Sequence, residues 1–314
     1  MPSRSRAGRE PSPTVCCAAS APGCRGCTCE PIYLPGVAQT VAQRFDGRSV
    51  LITGAGRGIG KRLALGFAAA GAGVGLLARS RAELELVHLE IAHAGGRSLP
   101  LVADVRDYGA VCGAVARMRD AFGGTDILVA AAAIQGPIGP LWETDPAAWA
   151  ATMSVNVVGV MHVCRAVLPE MIERRSGKIL VLTGGGAAHP RPNFSAYATS
   201  KAALARFVET VAEEVRDANV QVNCFSPGGA YTHMTDEILR AGERAGEKEL
   251  QRARAVQLTG GCPPEEQIEL AFFLASERSN HISGKMLHVE DDWRRLEHAN
   301  SLAELFTLRR VQKL

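Results

Sequence analysis

Residues 49–60 read Ser-Val-Leu-Ile-Thr-Gly-Ala-Gly-Arg-Gly-Ile-Gly: a short apolar run enters Thr53-Gly54-Ala55-Gly56-Arg57-Gly58-Ile59-Gly60, and Ile59, Leu63 and Phe67 then recur at helical spacing. Glycines at 54, 58 and 60 permit a tight turn, close approach of the backbone to a pyrophosphate, and close packing of helix on strand. The helix N-terminus adds unpaired N–H donors and the positive end of its dipole. A glycine pattern alone is weak, but strand, loop and helix in this order are where an anion-binding turn works.

Working outward, apolar periodicity predicts strands over 48–53, 73–78, 97–103, 126–132, 178–183 and 220–225, with a seventh over 285–289. Helices are predicted after the glycine loop and over 82–94, 108–122, 149–173 and 197–217. Alternation of this kind requires a mostly parallel sheet covered on both faces. The expected fold is α/β: a Rossmann-type doubly wound parallel sheet of about seven strands, one domain over 44–292. Residues 1–43, rich in Pro, Ser, Gly, Cys and Arg without apolar period, read as a disordered leader, and 293–314 as a C-terminal helical tail.

The 314 residues are 46% hydrophobic and 21% charged, which excludes disorder for most of the chain. A net charge of +3 gives no field pointing to nucleic acid or an anionic membrane. Apolar runs such as 127–134 are broken well short of the ~20 residues of a bilayer crossing, so no membrane span is expected. Five of the nine cysteines (Cys16, Cys17, Cys24, Cys27, Cys29) lie in the leader. The other four, Cys112, Cys164, Cys224 and Cys262, are scattered among apolar neighbours and read as free thiols of a reducing, cytoplasmic setting; organelle delivery by the leader is the weaker alternative. Cys24-x-x-Cys27-x-Cys29 has no second ligand pair at finger spacing, so no metal is expected; a metal-responsive leader is the outside reading.

At the end of the second predicted strand, where an acidic residue would bind the free 2′-hydroxyl of NAD, the chain has Ala78-Arg79-Ser80-Arg81. Arg79, with Arg57 in the glycine loop, suits a 2′-phosphate, so NADP(H) is favoured and NAD(H) remains open; a solvated helix start is the plain alternative. Asp104 and Val105 follow the third strand, placed to border an adenine. Tyr197-x-x-x-Lys201 puts both side chains on one helix face, and a nearby ammonium would favour the phenolate, readying Tyr197 for proton exchange while Lys201 also reaches ribose hydroxyls. The charged stretch 236–254 reads as a lid helix or as an ordinary solvated one.

Together these residues resemble the short-chain dehydrogenase/reductase family, in its single-domain branch, over 45–289. The loop has that branch's Thr-Gly-x-x-x-Gly-Ile-Gly form. By resemblance, Asn156 in Val155-Asn156-Val157 matches the asparagine that holds the proton-relay water, and Pro227-Gly228 with Thr232 matches the segment seating the nicotinamide carboxamide. The resemblance implies an oxidoreductase interconverting a small-molecule alcohol and its carbonyl, and a homotetramer or homodimer through the helices around 156–171 and 197–216. Two departures stand out. The family's Asn-Ala-Gly is replaced by Ala130-Ala131-Ala132-Ala133, removing a hydrogen bond beside the cofactor near Ala131. The carbonyl-orienting serine thirteen residues before Tyr197 is Gly184. Thr183 replaces that hydroxyl, or it is a packed strand threonine and carbonyl polarisation is weakened. A nucleotide-binding, redox-sensing or scaffold protein without turnover is therefore the rival reading.

Overall fold

A computed structural model describes residues 43–299 and 307–308; the expectations for the leader, its cysteines and most of the tail lie outside these. Seven strands form the sheet: β1 (Ser49–Thr53), β2 (Gly73–Ala78), β3 (Arg97–Val102), β4 (Ile127–Ala130), β5 (Gly177–Leu182), β6 (Val220–Ser226) and β7 (Met286–His288). All pairs are parallel, in the order β3-β2-β1-β4-β5-β6-β7. The central strands are buried along their whole length, which is why they read as continuous apolar runs rather than alternating ones. Strand order reverses between β1 and β4, opening a crevice at their carboxyl ends, where such sheets bind ligands.

Helices α1 (Gly58–Ala69) and α2 (Arg81–His93) cover one face with α9 (Pro264–Ala275); α3 (Tyr108–Phe122), α5 (Gly159–Arg174) and α6 (Ser195–Glu214) cover the other. Phe45, Phe67 and Phe272 pack edge-on with centroids 4.9–5.1 Å apart, pinning the start of the domain beneath α1 and α9. Local chemistry sets the ends: Ser80 accepts from Glu83 N at 3.3 Å, Asp107 accepts from Ala110 N at 3.0 Å, and Gly123 (φ 79°) stops α3 in the left-handed region.

Four details differ from the sequence expectations. The helix predicted over 149–173 starts earlier, at α4 (Pro146–Met153), because Asp145 caps it, and it joins α5 through a π turn, Ser154–Val158. The whole segment Pro146–Arg174 is long and apolar enough to cross a membrane by length and composition, against the expectation that no run is; its Val160, Val163, Val167 and Met171 are instead buried against the sheet and its covering helices. The charged stretch 236–254 is two helices, α7 (His233–Ala241) and α8 (Glu247–Thr259), separated at Gly242 (φ 56°) and Gly246 (φ 83°). Packing also runs past 292, since Trp293 and Leu296 are buried in the main core.

Candidate active site

The glycine loop is shaped as its spacing predicts. Gly58 sits at φ 57°, and a methyl group added to Gly60 would lie 2.3 Å from the Gly54 carbonyl oxygen, a contact no side chain can occupy. Arg57 caps α1 with no side-chain hydrogen bond, and the first turn holds no acidic residue. The opening amides, which have no intrahelical partner, are thus left for an anion. The lost Asn-Ala-Gly hydrogen bond is offset by Thr53, whose Oγ1 accepts from both Ala131 N and Ala132 N at 3.0 Å.

One cleft of about 1310 Å³ opens over these strand ends. It is lined by Gly54, Arg57, Gly58, Ile59, Gly60, Arg79, Asp104, Val105, Ala131, Thr183, Tyr197, Lys201, Pro227, Gly228 and Thr232, every candidate site residue except Asn156. At its far end Arg79 is exposed, with no hydrogen bond or ion pair among the described residues. Arg57 is less free, standing 3.6 Å from Glu83, a carboxylate that the sequence reading overlooked although Ser80-x-x-Glu83 is a capping pattern. Asp104 is clasped by Arg106 (Nη2 to Oδ2 2.7 Å), and that hydrogen bond holds its carboxyl below the usual range. Gly228 (φ 71°) turns the chain after β6, Gln267 Nε2 donates to Pro227 O at 2.8 Å, and Thr232 approaches Gly58 so closely that an added methyl there would touch its Cγ2 at 3.4 Å.

Tyr197 and Lys201 lie on the first turns of α6, 9% and 3% exposed. Lys201 Nζ donates to the Leu182 carbonyl at 2.9 Å and stands 5.4 Å from the Tyr197 ring centre. Burial pushes the ammonium down to about 8, with the nearby Cys224 thiol opposing. Burial also raises Tyr197, and the cation opposing that rise is Arg191 rather than Lys201. Tyr197 is therefore held as a phenol, not as the phenolate expected from the Lys201 spacing: desolvation of a buried phenol outweighs an ammonium that is itself desolvated.

Asn156 takes up a different task from a cleft-facing one. Fully buried in the π turn, it accepts from Ile134 N (2.8 Å) and donates to Ile134 O and Ser200 Oγ (both 3.0 Å), tying the loop after β4 to α6. Ser200 in turn donates to the Tyr197 carbonyl at 2.7 Å. Thr183 lines the cleft, yet its hydroxyl is shielded and without a partner, as is Gln135 Nε2. A methyl added at Gly184 would lie 3.2 Å from the Tyr197 hydroxyl, a tight contact that a side chain there could keep only if the phenol oxygen shifted by a few tenths of an ångström. The sequence reading also missed Arg191 and Glu249, joined across 58 positions at 2.8 and 3.0 Å. No local motif signals such a pair.

A parallel sheet with an anion-binding turn at its switch point and a buried Tyr-Lys pair across the cleft defines a nucleotide-dependent oxidoreductase. The profile of the short chain dehydrogenase family matches residues 48–242, and the chain belongs to that family. It is 35% identical over 244 residues to the oxidoreductase UcpA of Salmonella typhimurium, covering 77% of this chain and 92% of the relative. Among solved structures it resembles a gluconate 5-dehydrogenase from Burkholderia cenocepacia in complex with NADP and tartrate (TM-score 0.69, 30% identity, 78% and 94% covered). An NAD+-bound xylitol dehydrogenase gives a TM-score of 0.72 at 29% identity, with 78% and 98% covered. The protein is thus an NAD(P)-dependent short-chain dehydrogenase/reductase.

Proposed function

We propose that the protein interconverts an alcohol and a ketone or aldehyde, preferring NADP(H) and accepting NAD(H). The observation that carries this reading is the buried Tyr197–Lys201 pair opening into the same cleft as the uncapped N-terminus of α1. The uncapped amides and the glycine surfaces at 54, 58 and 60 fit a pyrophosphate, and the exposed, unpaired Arg79 fits a 2′-phosphate. The solved relatives hold NADP in one case and NAD in the other, so the preference rests on Arg79.

When bound, the nicotinamide ring supplies or accepts the hydride. Tyr197 moves the proton: as the phenol that burial maintains, it donates to the carbonyl oxygen during reduction and is left as the phenolate, and oxidation runs from that phenolate, which takes the alcohol proton as hydride leaves the carbinol carbon. Lys201, anchored on Leu182 O, would hold the ribose hydroxyls of a bound cofactor beside the tyrosine. Asn156 is a positioning residue, fixing α6 through Ser200. Thr183 polarises the carbonyl only after its hydroxyl turns out of its shielded setting. Pairing into a homodimer or homotetramer through α5 and α6 belongs to this reading, and Val158 and Ile172 are apolar and exposed beside and within α5.

A screen of ketones, steroids, acyl thioesters and sugars, with NADPH or NADH oxidation followed by absorbance, tests it. On any substrate found, Tyr197→Phe should cut turnover by ~10²-fold or more while cofactor affinity stays within a few fold. An unchanged rate in that variant would sink the reading. Tight cofactor binding with no turnover across the panel would favour the rival, a nucleotide-binding protein that senses or scaffolds, which the shielded Thr183 hydroxyl and the bare Gly184 support.

A further inference from the structure

Arg191 lies in the loop between β5 and α6, and its side chain is only 13% exposed. Its guanidinium carbon stands over the Phe194 ring, 4.0 Å from its centre, and 5.4 Å from the centre of the Tyr197 ring. Its stem runs along the triple glycine: methyl groups added at Gly186 and Gly185 would lie 3.5 Å from its Cβ and 4.0 Å from its Cδ. Glu249 of α8, itself 14% exposed, accepts from Nε at 3.0 Å and Nη2 at 2.8 Å through a single oxygen, Oε2.

A guanidinium carries five N–H donors arranged along edges that each match a carboxylate. Glu249 occupies the side edge with two of them. The end edge, formed by Nη1 and the second Nη2 hydrogen, has no protein partner among the described residues. Nη1 is not among the shielded polar atoms either, although most of the side chain is covered, and Arg191 lines the cleft. Arg252, one turn beyond Glu249 on α8, lines the same cleft, exposed and without an ion pair among the described residues. Two guanidiniums thus accompany the Glu249 carboxylate, to which Arg191 gives only its side edge.

We propose that the end edge of Arg191 binds a carboxylate of the substrate, making the substrate a hydroxy or oxo acid whose carboxylate stands a few bonds from the reacting carbon. This rests on the alcohol–carbonyl reading above. Gly184, Arg191 and Tyr197 all line the cleft, and Gly184 puts no side chain beside the Tyr197 hydroxyl, so the reacting oxygen and the chain that links it to the carboxylate enter from the cleft side. Because Glu249 and two rings already fix the guanidinium, little rotamer freedom is lost on binding. The bidentate grip then aims the carbonyl at Tyr197, doing by position part of what the absent serine hydroxyl would do by hydrogen bonding.

Calorimetric titration of malonate, with its neutral analogue malonamide and with inorganic phosphate as controls, into the protein saturated with NADP+ tests the site. Malonate should bind at least ~10-fold tighter than malonamide, in line with a charge-assisted bidentate pair. Arg191→Gln should abolish that difference with cofactor affinity unchanged, and Arg191→Lys, which keeps the charge and the fold without the fork, should retain only part of it. Equal binding of malonate and malonamide, malonate affinity unchanged in the lysine variant, or phosphate binding tighter than malonate would each overturn the carboxylate assignment. The two readings fail separately: turnover of a neutral ketone that malonate neither binds nor inhibits keeps the oxidoreductase and removes the anion site, whereas malonate binding without turnover on any carbonyl does the reverse.

Discussion

The two ends of the cleft are built by different means. At the cofactor end, backbone does the work: an uncapped helix, a positive φ at Gly58, and a Gly60 so close to Gly54 that no side chain fits. At the end where we propose the substrate sits, side chains from distant positions do it: Arg191 on Glu249, and Asn156 on Ile134 and on Ser200, which bonds the Tyr197 carbonyl. A backbone site is written in consecutive residues and depends on what is absent from them. A side-chain site is written in pairs that only the fold brings together, and it can change specificity without disturbing the sheet.

The same kind of substitution, glycine to a small side chain, should therefore have opposite outcomes at the two ends. Gly60→Ala drives a methyl into the Gly54 carbonyl, which cannot yield without moving the loop. Affinity for NADPH and NADH should fall together by roughly 100-fold, at the upper end of what overpacking costs. Fluorescence titration reads this, and retention of affinity for both would show that the loop is not the pyrophosphate cradle. A narrower break follows at Arg79. Arg79→Asp should change the NADPH to NADH affinity ratio by ~10-fold or more toward NADH, by removing a charge-assisted contact and adding repulsion. Glu83→Gln, which frees Arg57, should raise NADPH affinity a few fold. Equal affinities in the parent protein would remove the preference altogether.

Gly184→Ser is the counterpart at the substrate end. The new Cβ presses at 3.2 Å on the Tyr197 hydroxyl alone, the end of a side chain that can give by a few tenths of an ångström, so the fold and cofactor affinity should hold while turnover of a neutral ketone rises several-fold as a hydroxyl returns beside the reacting oxygen. A fall in cofactor affinity as large as that of Gly60→Ala would erase the distinction between the two ends.

Legibility in the sequence divides along the same line. The strands, the glycine loop and Tyr197-x-x-x-Lys201 were readable because each is a short-range pattern with a fixed period. The π turn at Ser154–Val158 was not, since its extra residue shifts the apolar stripe by a single position, which reads in the sequence as imperfect periodicity and not as a π turn with Asn156 in the core. Helix α9 was missed because its Ile268, Leu270, Ala271, Phe272, Phe273 and Leu274 are buried nearly all round and show no amphipathic contrast. The rise of Tyr197 was not readable, because spacing shows which charges are near but not how much water is removed.

Two buried lysines sharpen that last point, because both titrate low and only one lies in the cleft. Lys178, on β5 at the opposite end of the sheet from the site, is pushed down to about 7 by burial, with Glu277 opposing, and donates to Asn280 Oδ1 at 2.7 Å. A depressed lysine is thus not by itself the mark of a catalytic centre. Its consequence is for stability. The folded value lies below that of the unfolded chain, so between pH 7 and about 10 the unfolded state binds the extra proton and raising the pH favours the folded state; below pH 7 both states are protonated and the penalty of burying the charge is constant. Lys178→Met removes this linkage while leaving the exposed Asn280 to water. From pH 7 to pH 9 the parent protein should therefore gain on the order of 1 kcal/mol relative to the variant, a difference of a few degrees in Tm. Lys201 and the tyrosines titrate alike in both proteins and cancel in the comparison. Parallel Tm profiles across that range would show that Lys178 keeps an ordinary ammonium in the fold, through water reaching it beside Asn280.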